Sequence, residues 1–309
     1  MAGRTCRLSA DRRSVVAGVD PVITSPLDSR RTTERQLVSE ILNDASAPDD
    51  RGGTASSPQL QVTVEDHVAV LEIRRPPANY FDEELIGALV DAVRALDDDR
   101  DCRALVLCSQ GKHFCAGADF GGAYATDRAA LAGKLYRRAA ALFDSRKPII
   151  AAVQGAAVGG GLGLACAADF RVADSATRFV ANFSMLGFHH GFGLSVTLPA
   201  IVGAQNAADL LYRGATVTGE EALALGLVGR LSEPGCQREV ALGWAKEIAA
   251  AAPLAVMSMR ETLRGDLSER VRVALERELV EQTHLWATVD SAEGIAASRE
   301  RRTPSFVGR

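Results

Sequence analysis

Residues 155–169 read GAAVGGGLGLACAAD. Five glycines fall between Gly155 and Gly163, and the run carries no charge before Asp169. Because glycine has no Cβ, this backbone can approach a ligand or another chain segment closely. The run follows the apolar stretch PIIAAV (148–153), so the pattern predicts a strand, a sharp turn and a helix that begins near Gly160.

The glycine run is not a nucleotide-binding motif. The pattern G-x-G-x-x-G fails because Leu164 or Cys166 stands at its sixth position, and no G-x-x-x-x-G-K-[ST] exists because His113 follows Lys112. Two interpretations remain. The first amides of the helix, which have no intrahelical acceptor, could stabilise a negatively charged oxygen, or the glycines could serve only close helix–strand packing.

A second segment with small residues favours the first interpretation. GKHFCAGADF (111–120) also follows an apolar strand, and Ala116, Gly117 and Ala118 leave its backbone accessible. Two strand-end loops, each with a free amide, could face one carbonyl oxygen from two sides. Two donors on one oxygen are what stabilisation of an enolate requires.

The surrounding pattern predicts an α/β protein. LQVTVED and HVAVLEI (60–73) predict a hairpin, and Asp82 caps a helix whose apolar residues recur at helical spacing. RALVLCS (103–109) is a further apolar strand, separated from PIIAAV by a helix near 127–145. Apolar strands that alternate with helices predict a parallel sheet covered on both faces. Residues 235–300 predict three helices, broken near Pro253 and Gly265.

Five segments, in this order and spacing, resemble the crotonase superfamily, the enoyl-CoA hydratase/isomerase family. The likeness covers about residues 59–309. The segments are PPANYFDEEL, GKHFCAGADF, KPIIAAVQGAAVGGGLGLACAADFRVA, TGEEALALGLV and DSAEGIAASRERRTPSF.

The resemblance implies a crotonase-like β-β-α spiral with a helical C-terminal section. We expect a flexible N-terminal extension at 1–58, an α/β spiral core at 59–250 and a helical trimerisation or lid region at 251–309. A homotrimer or homohexamer is implied. Coenzyme A is implied as part of the substrate thioester, with no separate cofactor and no metal.

The resemblance also implies the site residues. The amides of Ala118 and Gly160 form the oxyanion hole that holds the thioester oxygen. Hydration, double-bond shift, decarboxylation and C–C cleavage all use that intermediate in this family. The residues implied to contact the CoA ester are Pro77, Ala78, Asn79, His113, Ala116, Asp119 and Phe120.

This sequence departs from the hydratase pattern at both acid/base positions. Relatives that hydrate carry glutamate two residues after the glycine triplet, where Gly163 stands, and a second glutamate where Phe183 stands. Neither residue can transfer a proton, so two-glutamate activation of water is not available. The expected reaction is therefore isomerisation, hydrolysis, C–C cleavage or decarboxylation.

The candidate proton carriers are His189 and His190, in the loop GFHHGFG (187–193). Relatives that make or break carbon–carbon bonds, such as the naphthoyl-CoA synthases, place an aspartate in a similar loop at the position of His189. A near-neutral imidazole pKa suits general acid/base work. The alternative is that the pair only bonds loop backbone or lines a subunit contact.

Composition argues against several other classes of function. The net charge of −4 predicts no nucleic-acid partner, and the absence of a long apolar run predicts no membrane span. Six cysteines without a C-x-x-C pair predict reduced thiols and a cytoplasmic location. Three alternatives stay open: an inactive acyl-CoA-binding subunit, a hydratase that uses other residues, and a hydrolase of substrates without CoA.

Overall fold

A computed structural model describes residues 59–119 and 127–309. The predicted extension 1–58 and the candidate contact Phe120 lie outside the described residues. The strands of the described chain form two sheets, one with six strands in the order β1-β2-β3-β4-β6-β9 and one with three in the order β5-β7-β8. The strands are β1 Leu60–Glu65, β2 Val68–Ile73, β3 Ala104–Ser109, β4 Ile149–Ala152, β5 Ala156–Val158, β6 Phe170–Asp174, β7 Arg178–Val180, β8 Thr216–Thr218 and β9 Arg230–Ser232.

The larger sheet has the predicted hairpin at one edge and is parallel beyond it. β1 and β2 pair antiparallel, with Leu60 opposite Ile73, and β2, β3, β4, β6 and β9 pair parallel. The mixed α/β architecture predicted from the sequence is therefore confirmed.

Helices follow the strands and dominate the C-terminal part. The helices are α1 Glu83–Asp98, α2 Arg128–Ala140, α3 Gly160–Ala167, α4 Leu194–Val202, α5 Ala204–Arg213, α6 Gly219–Ala224, α7 Gln237–Ala249, α8 Pro253–Arg264, α9 Leu267–Trp286 and α10 Val289–Glu300. The structure has four helices in this region, α7 to α10, whereas three were predicted for 235–300. The extra break follows Trp286, where the Thr288 hydroxyl accepts from Ser291 N and starts a new helix.

The inner strands of the large sheet are buried on both faces, which explains why they are almost continuously apolar. On one face, Val68, Val70 and Val106 pack against the alanine stripe of α7. On the other, the remaining positions of the same strands join the main core with α1. Alternate residues of each strand thus enter two different cores.

The cysteines differ in state. Cys102, Cys108, Cys115 and Cys166 are buried free thiols, and burial raises the pKa of Cys115 to about 12. The prediction of reduced thiols is wrong for Cys236, which is disulfide-bonded. The cytoplasmic location stays a prediction.

Within 59–119 and 127–309, no single helix is long and apolar enough to cross a membrane. The neighbours α7 and α8 meet that length and composition only as a pair, and they are bent by 107° at their junction.

Candidate active site

The loop that carries Ala118 is held between two other segments. On one side, Phe81 N donates to Gly117 O at 2.9 Å and Asp119 N donates to Phe81 O at 3.2 Å. On the other, Val158 N donates to Cys115 O at 2.9 Å. Because successive amides of an extended segment point in opposite directions, the N–H of Ala118 points away from Phe81.

The second amide belongs to Gly160, the first residue of α3. Gly159 caps this helix with φ +54° and without a side-chain hydrogen bond. Helix N-terminal amides have no intrahelical acceptor, and the helix dipole adds partial positive charge there. Among the described residues, neither Gly160 N nor Ala118 N donates to a backbone oxygen.

Glycines allow these two loops to meet. A Cβ built on Gly160 would lie 3.7 Å from Ala118 N, and one built on Gly117 would lie 3.4 Å from Gly160 N. Gly117 also has φ +98°, which side chains rarely adopt. The structure thus brings the two amides that the resemblance implies to one place.

Both amides line a cleft whose cavity volume is about 80 Å³. Most of its walls are apolar, and they come from α2, α3, the 181–193 segment and the end of α9. The described lining residues are Phe81, Ala116, Gly117, Ala118, Arg128, Ala132, Leu135, Tyr136, Val158, Gly159, Gly160, Asn182, Phe183, Leu186, Phe188, Gly191, Phe192, Gln282 and Trp286. In such surroundings, a hydrogen bond to a developing oxyanion is stronger than in water.

Phe192 packs against Gly163, and Gly163 and Phe183 are the two positions where the resemblance implies carboxylates in a hydratase. A Cβ on Gly163 would lie 2.6 Å from Phe192 Cβ, and the Phe192 ring packs 5.1 Å from the Phe81 ring. Phe183 is buried in the cleft wall. No aspartate, glutamate or histidine is among the described residues that line the cleft.

The two histidines lie behind this wall. Their rings stack 4.0 Å apart, His189 Nδ1 contacts His190 O at 2.7 Å, and His190 Nε2 contacts Ser195 Oγ at 2.8 Å. Burial, and then the charge of His189, lower the pKa of His190 to about 4, so this ring is neutral at pH 7. Neither ring is among the described lining residues. Catalysis by the pair stays a prediction, and these contacts match its alternative, a role within the loop.

Glu278, on α9, holds that loop, a role that its sequence context does not indicate. Its fully buried carboxylate accepts from Gly193 N at 2.8 Å, Ser195 N at 2.9 Å and Ser195 Oγ at 2.7 Å. Burial raises its pKa against the opposing effect of these hydrogen bonds. The carboxylate caps the N-terminus of α4 from another helix. No local motif signals this role, because its partners are more than 80 residues away in sequence.

Replacing Glu278 by leucine is expected to lower the free energy of unfolding by about 2–3 kcal/mol, because two backbone amides lose their acceptor. Urea unfolding measures the change. Glu276→Leu is the matched control, since Glu276 is exposed on the same helix. Equal stability of the two variants would contradict the assigned role of Glu278.

The residues implied to contact CoA have different positions. Ala116 lines the cleft, and Asp119 is exposed beside it. Asn79 is fully buried, and its amide nitrogen donates to Gln110 O and His113 O. Asn79 therefore joins its own loop to the 110–113 segment. Pro77 is half-buried, whereas Ala78 and His113 are buried. Their contact with CoA stays a prediction.

The described residues contain no group of three His, Cys, Asp or Glu side chains that could hold a metal ion. What they do contain is a pair of peptide amides at one point of an apolar cleft, on an α/β scaffold. Two amides that converge in this way form a suitable donor pair for one carbonyl oxygen on which negative charge develops.

The chain belongs to the enoyl-CoA hydratase/isomerase family, because the sequence model of that family matches residues 63–309. It is 34% identical over 257 residues to a crotonyl-CoA hydratase of Syntrophomonas wolfei, covering 79% of this chain and 96% of that protein. It is 32% identical over 256 residues to a 2,3-dehydroadipyl-CoA hydratase of Escherichia coli, covering 81% and 99%.

A solved structure gives the same result. The crystal structure of an enoyl-CoA hydratase/isomerase from Pseudoalteromonas atlantica superposes with a TM-score of 0.72 at 32% identity, covering 81% of this chain and all of that one. The predicted crotonase-type fold is confirmed. The chain is therefore a member of a family of enzymes that process acyl-CoA thioesters.

Proposed function

We propose that this chain binds an acyl-CoA thioester in the cleft and stabilises its enolate there, and that it does not hydrate enoyl-CoA. The observation that carries the proposal is the pair of amides, Ala118 N and Gly160 N, in a cleft whose described lining has no carboxylate. The thioester oxygen gains charge as the enolate forms, and the two amides stabilise that charge.

The contact between Gly163 and Phe192 supports the second half of the proposal. Hydration requires a group that takes a proton from water, close to the β-carbon. A side chain at position 163 would collide with Phe192, and Phe183 offers only carbon atoms. The relatives named above are hydratases, so this chain is expected to differ from them in its reaction.

Decarboxylation is the enolate-forming reaction that demands least of these residues. In malonyl-CoA, the bond between the α-carbon and the carboxylate breaks and CO₂ leaves. The electron pair of the broken bond forms the enolate, whose oxygen accepts hydrogen bonds from the two amides. Water then donates a proton to the α-carbon, which gives acetyl-CoA. No base is needed to form the enolate.

The test is incubation of the purified protein in D₂O with butyryl-CoA, malonyl-CoA and crotonyl-CoA, followed by mass spectrometry. We expect deuterium at the α-carbon or loss of CO₂ from malonyl-CoA, and no addition of water to crotonyl-CoA. His189→Ala and His190→Ala, run in parallel, report whether either imidazole carries the proton. Fast hydration would overturn the proposal. Light scattering tests the proposed trimer or hexamer.

A second candidate function is acyl-CoA binding without catalysis. It is supported by Gly163 and Phe183, which stand where the resemblance implies the two glutamates of a hydratase. Binding of butyryl-CoA without exchange, CO₂ loss or hydration would identify the chain as such a binding protein.

A further inference from the structure

Four of the described side chains that line the cleft carry a guanidinium, hydroxyl or amide group: Arg128, Tyr136, Asn182 and Gln282. Three of them have partners within the protein. Arg128 packs over the Trp286 ring, with 5.3 Å between its guanidinium carbon and the ring centre. Tyr136 Oη donates to Gln282 Oε1 at 2.8 Å, and Gln282 Nε2 donates to His189 O at 2.9 Å. These three polar groups therefore help to build the wall of the cleft.

Asn182 differs from them, because its side-chain amide makes no hydrogen bond to any residue within 59–119 and 127–309. The residue is half-buried, in a cleft with mostly apolar walls. A side-chain amide has two N–H donors and an oxygen acceptor, and such a group is costly in apolar surroundings unless it is hydrogen-bonded. A molecule bound in the cleft can supply the missing partner.

The amide of Asn182 lies beside the oxyanion hole. Its Oδ1 is 3.4 Å from a Cβ built on Gly159, the residue that precedes Gly160. With standard backbone bond lengths, this places Oδ1 within about 7 Å of Gly160 N. Because a hydrogen bond spans about 3 Å at each end, that separation suits two oxygens of one ligand, the first on Gly160 N and the second on Asn182.

Two oxygens at such short range occur in a thioester with a keto group on its β-carbon. We propose that Asn182 donates a hydrogen bond to the β-oxygen of a 3-oxoacyl-CoA, so that the cleft prefers this class of thioester to saturated acyl-CoA. The inference rests on the proposed function in one respect, that the thioester oxygen binds to the two amides. It does not depend on the course of the acyl chain beyond the β-carbon.

The test compares acetoacetyl-CoA with butyryl-CoA, which have equal numbers of carbons and differ in the keto group. Dissociation constants are measured by calorimetry for the wild type and for Asn182→Leu, which has a similar shape and no polar atom. We expect Asn182→Leu to weaken acetoacetyl-CoA binding roughly 5- to 30-fold and to leave butyryl-CoA binding unchanged. Its melting temperature should not fall, because the amide of Asn182 bonds no other described residue.

Asn206→Leu is the matched control. Asn206 lies on α5, outside the described lining of the cleft, and its Nδ2 donates to Val202 O at 2.8 Å. This variant should leave both affinities unchanged. Equal weakening of acetoacetyl-CoA and butyryl-CoA in Asn182→Leu would overturn the proposal, since that pattern indicates a change in the shape of the cleft. So would an unchanged affinity for acetoacetyl-CoA. Failure of the wild type to bind either ester would instead overturn the proposed function.

Discussion

Replacing Gly160 by proline, in a chain that also carries Phe81→Leu, is expected to lower the rate of enolate formation about 10²- to 10³-fold. Proline has no N–H, so one of the two donors to the thioester oxygen is lost. The first helical position is where a helix tolerates proline, so α3 should remain intact. Deuterium uptake at the α-carbon of butyryl-CoA, or CO₂ release from malonyl-CoA, measures the rate.

The leucine at position 81 provides room. A Cβ on Gly160 would lie 2.6 Å from Phe81 Cζ, an atom that leucine does not have. The matched control is Gly160→Ala in the same background, which adds the Cβ but keeps the N–H. If the alanine and proline variants lose the same amount of activity, the loss comes from packing and the oxyanion hole is not formed by Gly160.

Replacing Gly161 by alanine is expected to lower the free energy of unfolding by about 3 kcal/mol or more. The added Cβ would lie 2.1 Å from Cys115 O, the oxygen that accepts from Val158 N. Cys115 is fully buried, so one of two packed backbone segments must move. For a domain of this size, the melting temperature should fall by roughly 10 °C.

Gly243→Ala is the control for this prediction. Gly243 lies inside α7, and a Cβ built there meets nothing within 4 Å. Alanine is the better helix former by about 1 kcal/mol, so this variant should be more stable than the wild type. Glycine-to-alanine substitution is thus expected to destabilise the protein at position 161 and to stabilise it at position 243. Equal melting temperatures would contradict the close contact between the loops of Cys115 and Gly161.

Local patterns predicted much of the fold. The hairpin at 60–73, the helix after Asp82 and the helix that begins at Gly160 were all predicted, because turn residues, caps and apolar periodicity act between near neighbours in the chain. The prediction of three C-terminal helices was wrong because the cap at Thr288 is a single side-chain hydrogen bond within a continuously helical pattern.

The candidate site was predicted only in part. The two loops of the oxyanion hole could be proposed from their small residues and from the resemblance. Three other features could not be predicted from the sequence: the packing of Phe192 against Gly163, the contacts of Glu278 with the histidine loop, and the position of Arg128 in the cleft. Each of these contacts joins residues far apart in sequence, so no spacing in the chain records it.

By itself, the sequence indicated the family, the hairpin and first helices of the core, and the glycine and phenylalanine that stand at positions 163 and 183. Each of these depends on which residue stands at a position and on its near neighbours. The tertiary structure alone decided that two amides meet in one cleft, that His190 bonds Ser195 behind its wall, and that Arg128 is part of its lining. These depend on how distant segments pack, and packing follows from the shape and volume of the whole core.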